Sequence, residues 1–285
     1  MQSLQLCTWQ ELTGEAHGSQ CQKLLKGPIA LKAQLYNQLD APEIVDVSHL
    51  IDPFHIIQAA YVLGSVYRSF PQGSIHFVGI NFNQTPEQAL IVAELNDHFF
   101  VCADNGFLSL LEPELKPTKA VALNTAATTN QARGVEAIAH IHRGGALSVI
   151  GTPISTLKQL TQHIPSVHPQ GNEIQGHVLH IDRFGNIVTN ITKQLFQKVG
   201  RNRPFIIHAR NHNFKEIFND YHEAIRYDRP KAQREEVGKK LALFNAQGHL
   251  ELAVFKGSPN YGGGASTLFG LTYLDPIRVA FINDA

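Results

Sequence analysis

The stretch Ile181-Asp182-Arg183-Phe184-Gly185-Asn186-Ile187-Val188-Thr189-Asn190-Ile191 decides how this chain is read. Its Ile, Val and Thr residues favour an extended strand, and Phe-Gly-Asn interrupts them. The glycine permits a sharp turn or a close backbone approach to a ligand. The Asn beyond it offers a flat amide to a flat partner. On chemistry alone the same pattern fits a strand with a kink. Around it, short β-rich runs follow closely on one another at 178–181, 187–191, 205–209, 241–244, 250–255 and 277–282. Only 214–227 hints at a helix. This spacing predicts a small all-β, barrel-like domain over 177–285.

Upstream, Pro169, Gly171 and Gly176 stand among polar residues and predict a linker over 166–176. The region 1–165 reads differently. Residues 53–70 carry Phe54, Ile57, Ala60, Tyr61, Val62 and Val66 at helical spacing, and 75–80 reads as a buried strand. Two more strands, 89–95 and 98–103, flank Asn96-Asp97. A helix over 135–141 stops at Gly144-Gly145. The alternation predicts an α/β domain with a largely parallel sheet.

Composition sets bounds. The chain has 285 residues, 43% hydrophobic and 17% charged, enough to bury a substantial core. Lys plus Arg equals Asp plus Glu at 24 each, which argues against nucleic-acid and membrane-surface partners. No run approaches the roughly 20 apolar residues of a membrane span. The first residues lack a basic-then-apolar leader, so the expected location is the cytoplasm. Cys7, Cys21 and Cys102 have no metal-like spacing. His140 and His142 fall on different sides of a helix, and His208 and His212 lie in strand and loop, so no metal is expected. Gly262-Gly263-Gly264 lacks the Lys-Ser/Thr of a phosphate loop and reads as a turn before a strand-like 268–271. No Gly-x-Ser-x-Gly elbow occurs.

Five segments, in order, carry a resemblance. Ile44-Val45-Asp46-Val47-Ser48-His49-Leu50-Ile51-Asp52-Pro53-Phe54 is similar to VDxSHxxxPF. Phe70-Pro71-Gln72-Gly73-Ser74-Ile75-His76 is similar to FPxGTVH, and Ala103-Asp104-Asn105-Gly106-Phe107-Leu108-Ser109 to xDNGLLS. The Phe-Gly-Asn strand follows, then Leu243-Phe244-Asn245-Ala246-Gln247-Gly248-His249-Leu250-Glu251-Leu252-Ala253, similar to xxNSxGxLEIA. From Lys26 onward the chain resembles the S-adenosylmethionine hydroxide adenosyltransferases, whose fold is shared by the fluorinating and chlorinating adenosyl enzymes. The resemblance implies a homotrimer and an adenosyl ligand, S-adenosylmethionine, with no further cofactor. It implies water attack on the ribose 5′ carbon, giving adenosine and methionine. Phe54 is implied as a wall near the ribose, Phe184 and Asn186 as adenine contacts, and Asn105, Asn130, Asn245 and Gln247 as further substrate contacts.

The same comparison exposes departures. The family's catalytic Asp, Arg and His positions fall on Asn81, Gln88 and Thr129. An amide takes no proton at neutral pH. Asp104 and Glu87 are possible substitute bases. The family's ribose-holding Asp has no counterpart in Leu4-Gln5-Leu6-Cys7-Thr8-Trp9-Gln10, where Glu11 and Glu15 are the nearest acids. Ala246 and Gln247 replace a Ser-led pair. Two expectations result: a hydrolase with a weakened catalytic set, or a catalytically inactive adenosyl-binding or scaffold protein of the same fold.

Overall fold

Ile75-His76-Phe77-Val78-Gly79 is buried along its whole length, as a strand covered on both faces must be. The computed structural model describes residues 4–9 and 28–282, apart from 115, 125, 126, 162, 235 and 261. Glu11, Glu15, Cys21 and Lys26 lie outside the described residues. Two compact units divide the chain, one up to residue 162 and one from 163.

In unit 1 the elements run β1 (Leu4–Trp9), α1 (Pro28–Gln38), β2 (Ile44–Ser48), α2 (Ile56–Gly64), β3 (Ile75–Gly79), β4 (Leu90–Leu95), β5 (His98–Ala103), α3 (Phe107–Leu111), β6 (Lys119–Leu123), α4 (Asn130–His142), α5 (Leu147–Ile150) and β7 (Gly151–Pro153). The strands form one seven-stranded sheet in the order β2-β1-β3-β5-β4-β6-β7. Pairing is parallel from β2 to β5 and antiparallel from β5 to β7. The expected largely parallel sheet is therefore mixed. The reversal comes from Asn96 and Asp97, both at positive φ (51° and 60°), which close a two-residue hairpin. Such a hairpin can only join antiparallel strands.

Side chains alternate along β3. Ile75 and Phe77 meet Leu31 and Leu35 of α1 and Val135 and Ile138 of α4 on one face. Val78 meets Ala59, Ala60 and Leu63 of α2 and Phe107 of α3 on the other. The chain crosses from β1 to β2 by a helix on one face and returns to β3 by a helix on the opposite face. A reversal of this kind leaves a crevice at the carboxyl ends of β1 and β3.

Unit 2 is a near-closed antiparallel β-barrel. Its elements are β8 (Ser166–Val167), β9 (Glu173–Ile181), β10 (Ile187–Thr192), α6 (Lys193–Gly200), β11 (Phe205–Ala209), β12 (His212–Phe214), β13 (Lys240–Phe244), β14 (His249–Val254), α7 (Ala265–Phe269) and β15 (Pro276–Phe281). The order is β12-β11-β15-β9-β10-β14-β13, with β8 paired to β9. Beyond β12 the chain makes a parallel bridge from Phe218 to Leu243 of β13, which brings the two ends of the sheet together.

Three readings of this half are corrected. Residues 166–176, read as a linker, hold β8 and the start of β9. The helical hint at 214–227 is the Phe218 bridge followed by a single 3₁₀ turn, Glu223–Ile225. The apolar residues there answer to the barrel, since Ala224 and Ile225 pack with Leu241 and Phe255. The strand-like 268–271 belongs instead to α7 and its exit, where Gly270 (φ 64°) ends the helix.

Candidate functional site

Unit 1 gathers its candidates at the carboxyl ends of its parallel strands. Phe54 follows β2, Asn81 follows β3, and Asp104-Asn105 follow β5. Phe54 is 64% exposed and has a φ of 61°. A bulky residue at positive φ is strained, and strain of this kind concentrates at ligand sites. The helix behind it is fixed by His55, whose Nδ1 accepts from the Gln58 N–H at 3.1 Å.

Asn81 also has positive φ (49°). Its loop is clamped by Gln88, whose Nε2 donates to the Asn81 carbonyl at 2.9 Å and the Asn83 carbonyl at 2.6 Å. Asn105 is buried; its Nδ2 donates to the Ile80 carbonyl at 3.2 Å, and its Oδ1 accepts from the Phe107 N–H at 3.1 Å. Thr129 caps α4, its Oγ1 accepting from the Ala132 N–H at 3.1 Å. Asn130 reaches the same loop, donating from Nδ2 to Asn83 Oδ1 at 3.3 Å. The structure thus draws Asn81, Gln88, Asn105 and Asn130 onto one loop, and Thr129 onto the helix start beside it. Gln88 and Asn105 spend their amides on backbone groups, a use that the sequence did not reveal.

Carboxylates at this edge differ in their freedom. Asp46, on β2, accepts from Lys32 Nζ at 2.5 Å and lies 3.0 Å from His49 Nε2. Burial pushes its carboxyl up, but Lys32 and His49 outweigh this and hold it below the usual range. Both its oxygens are taken. Asp104 Oδ1 accepts from the Lys158 N–H at 2.9 Å, and among the described residues no hydrogen bond occupies Oδ2. Glu87 stands on an exposed turn.

A groove of about 1110 Å³ opens elsewhere in unit 1, lined by Glu94, Phe99, Leu108, Glu112, Lys119 and Leu157 among others. None of the sequence-predicted residues lines it, so size alone does not mark the site. Among the described residues no three His, Cys, Asp or Glu side chains converge as a metal ion would require. No helix among them is long and apolar enough to cross a membrane.

Unit 2 builds its candidate site on the Phe-Gly-Asn turn. Asp182 Oδ1 accepts from the Phe184 and Asn186 N–H groups at 2.9 and 2.8 Å, and folds the turn around itself. Gly185 (φ 78°) lies against Gly264; a Cβ on Gly264 would stand 2.5 Å from the Phe184 carbonyl oxygen. Gly264, the last of the three glycines, is therefore a bed for this turn. Phe184 is left 67% exposed, whereas Asn186 is buried at 8%. Asn186 Nδ2 donates to Asp182 Oδ2 at 2.9 Å and Tyr221 Oη at 3.2 Å. Tyr221 donates in turn to Glu251 Oε1, and Asn245 Nδ2 donates to Glu251 Oε2 at 3.3 Å. Burial raises the Glu251 carboxyl, partly offset by these two hydrogen bonds. Asn245 also holds its own turn, Oδ1 accepting from the Gln247 and His249 N–H groups at 3.1 Å each. The Gln247 side chain is exposed beside it. Tyr221 and Glu251 were not among the predicted contacts; Glu251 stood in a quoted motif, but Tyr221 carried no signal.

Comparison with known proteins places these observations. Residues 27–151 match the SAM hydroxide adenosyltransferase N-terminal domain, and residues 176–278 match the C-terminal domain. The (R)-S-adenosyl-L-methionine hydrolase of Methanocaldococcus jannaschii is 29% identical over 258 residues, covering 90% of this chain and 89% of that protein. The protein of the same name from Thermus thermophilus is 28% identical over 271 residues, covering 87% and 92%. Among solved structures, an uncharacterized conserved protein from Thermotoga maritima matches with a TM-score of 0.74 at 21% identity, over 97% of this chain and 99% of that one. A conserved hypothetical protein from Thermus thermophilus matches with a TM-score of 0.68, also at 21% identity, over 98% of this chain and 100% of its own. At such identity the structural likeness shows the fold.

Proposed function

The chain belongs to the SAM hydroxide adenosyltransferase family, matching both of its domains, and from that premise we propose that it hydrolyses S-adenosylmethionine to adenosine and methionine. Water oxygen bonds to the ribose 5′ carbon as the carbon–sulfur bond breaks. The bonding pair returns to sulfur, which leaves as the neutral thioether of methionine. A proton from the water passes to a base. The leaving group is good and the nucleophile poor, so orientation and proton acceptance carry the catalysis.

One observation carries this reading. The strained, exposed Phe54 and the Asn81 loop stand at the carboxyl ends of β2 and β3, where α/β sheets receive ligands. Asn81, Gln88 and Thr129, neutral where the family has Asp, Arg and His, shape the loop and helix start that would hold the water. Asp104 is the proton acceptor we favour, because Oδ2 carries no hydrogen bond from the described residues while Asp46 has both oxygens engaged. Asn105, Asn130, Asn245 and Gln247 support the ligand-facing loops, and the assembly is a homotrimer. Incubation with S-adenosylmethionine in its (R) form, the form in the relatives' name, is expected to release adenosine on chromatography. No adenosine above a buffer control at high protein concentration would exclude hydrolysis.

A second reading rests on a separate observation. Gln88 and Asn105 spend their amides on backbone groups, which favours an inactive binder built on the same frame. Calorimetry that finds tight S-adenosylmethionine binding without turnover would select it.

A further inference from the structure

Asn186 sits at the head of a one-way chain of hydrogen bonds. Asp182 offers only acceptors, so the nitrogen of the Asn186 amide must face it, at 2.9 Å. The second hydrogen of that nitrogen points to Tyr221 Oη at 3.2 Å. Tyr221 can accept there because its own hydrogen goes to Glu251. Glu251 receives a further donor from Asn245 at 3.3 Å, so both its oxygens are engaged as a carboxylate's would be. Every donor on the Asn186 side chain is consumed. Its Oδ1 has no partner among the described residues, yet it is not sealed from solvent. Two residues away, the Phe184 ring stands 67% exposed. A flat apolar face beside a lone acceptor suits a flat ring that carries an N–H donor on its edge.

We propose that Tyr221 and Glu251 are positioning residues that lock Asn186 as a hydrogen-bond acceptor, so that this site selects a purine bearing an amino group over the same purine bearing an oxo group. The inference rests on the adenosyl reading above and sharpens it. Flipping the amide to greet an oxo group would turn its oxygen onto the Asp182 carboxylate and the Tyr221 oxygen. The chain forbids that adjustment. An oxo purine would then face oxygen with oxygen, and a buried polar group left unpaired is costly.

Calorimetry on the full chain with adenosine and with inosine tests this, because the two differ only at that edge of the base. The wild type is expected to prefer adenosine by about tenfold or more, the factor that one lost hydrogen bond typically supplies. Y221F removes the acceptor that holds the second amide hydrogen, and E251Q removes the carboxylate that orients Tyr221. Asp182 still holds the first amide hydrogen in both variants, so each should lower the adenosine-to-inosine ratio by about threefold or more without abolishing it. The ratio does not depend on the fraction of folded protein, so a merely structural role would leave it unmoved. Equal wild-type affinity for the two nucleosides overturns the inference alone and leaves the adenosyl reading standing. A ratio unchanged in both variants also overturns it. If neither nucleoside nor S-adenosylmethionine binds, the adenosyl reading falls and this inference with it. The wild-type comparison decides even where a variant fails to fold.

Discussion

Phe54 combines three properties that core residues avoid together: bulk, exposure and positive φ. A side chain exposed to this degree contributes little to the core, so its truncation should read out on the ligand. F54A is expected to leave the melting temperature within a degree or two and weaken S-adenosylmethionine binding by about five- to a hundredfold, the span of one stacking contact. Calorimetry beside a thermal melt measures both. D104N keeps an oxygen for the Lys158 N–H and removes the proton acceptor. It is expected to slow adenosine release by roughly 100- to 10,000-fold without lowering stability. Single-turnover chromatography checks the first and a melt the second. The buried pair His76 and His98, whose Nε2 and Nδ1 lie 3.1 Å apart, makes a pH prediction. Burial, with His98 beside it, holds His76 down to about 3. The unfolded chain takes up its proton near 6.5, whereas the folded chain refuses it until about 3. Stability from this site is therefore full above about pH 6.5 and drains as pH falls toward 3, by on the order of a few kcal/mol. Urea unfolding across that window should show the slope, and H76F, which keeps a ring against Phe100, should flatten it.

At the scale of elements, Thr129 shows how a residue implied as catalytic can be structural. Its Oγ1 caps the thirteen-residue α4. T129A should cost about 1 kcal/mol in chemical unfolding, the usual worth of such a cap. A loss of turnover far beyond that would reveal a second duty at the reacting centre. Gly264 makes the complementary point. Its ideal Cβ would meet the Phe184 carbonyl oxygen at 2.5 Å and Gly185 Cα at 2.8 Å, both backbone atoms that yield little. G264A is expected to destabilise by about 1–3 kcal/mol and to disturb the Phe-Gly-Asn turn. Most strands were legible in the sequence, because runs such as Phe205–Ala209 and Leu241 to Phe244 are short, apolar and bounded by turn residues. Of the helices that were not read, α1 and α6 are the longest. In α1 and α6 polar residues interleave with the few buried ones, and packing rather than pattern decides the outcome. The direction of the sheet was legible in the Asn96-Asp97 turn but was outweighed by the general strand–helix alternation.

The whole molecule consists of two units with separate cores, one around a mixed sheet with helices on both faces and one inside a barrel. Family motifs fall in both, which is why one family model matches each half. A homotrimer is expected in solution, and light scattering coupled to size-exclusion chromatography would give three times the chain mass; a monomer at working concentration would remove that expectation. By itself the sequence determined the family and the order of the motifs, because these depend on residue types at short spacings that survive in one dimension. Tertiary structure alone decided where the amides point. Gln88 turns back on its own loop, and Asn105 ties down Ile80 from 25 residues away. Asn186 meets Tyr221 across 35 residues, and Tyr221 meets Glu251 across 30. A hydrogen bond is satisfied by whichever group the fold brings within about 3 Å, and no local pattern records that choice.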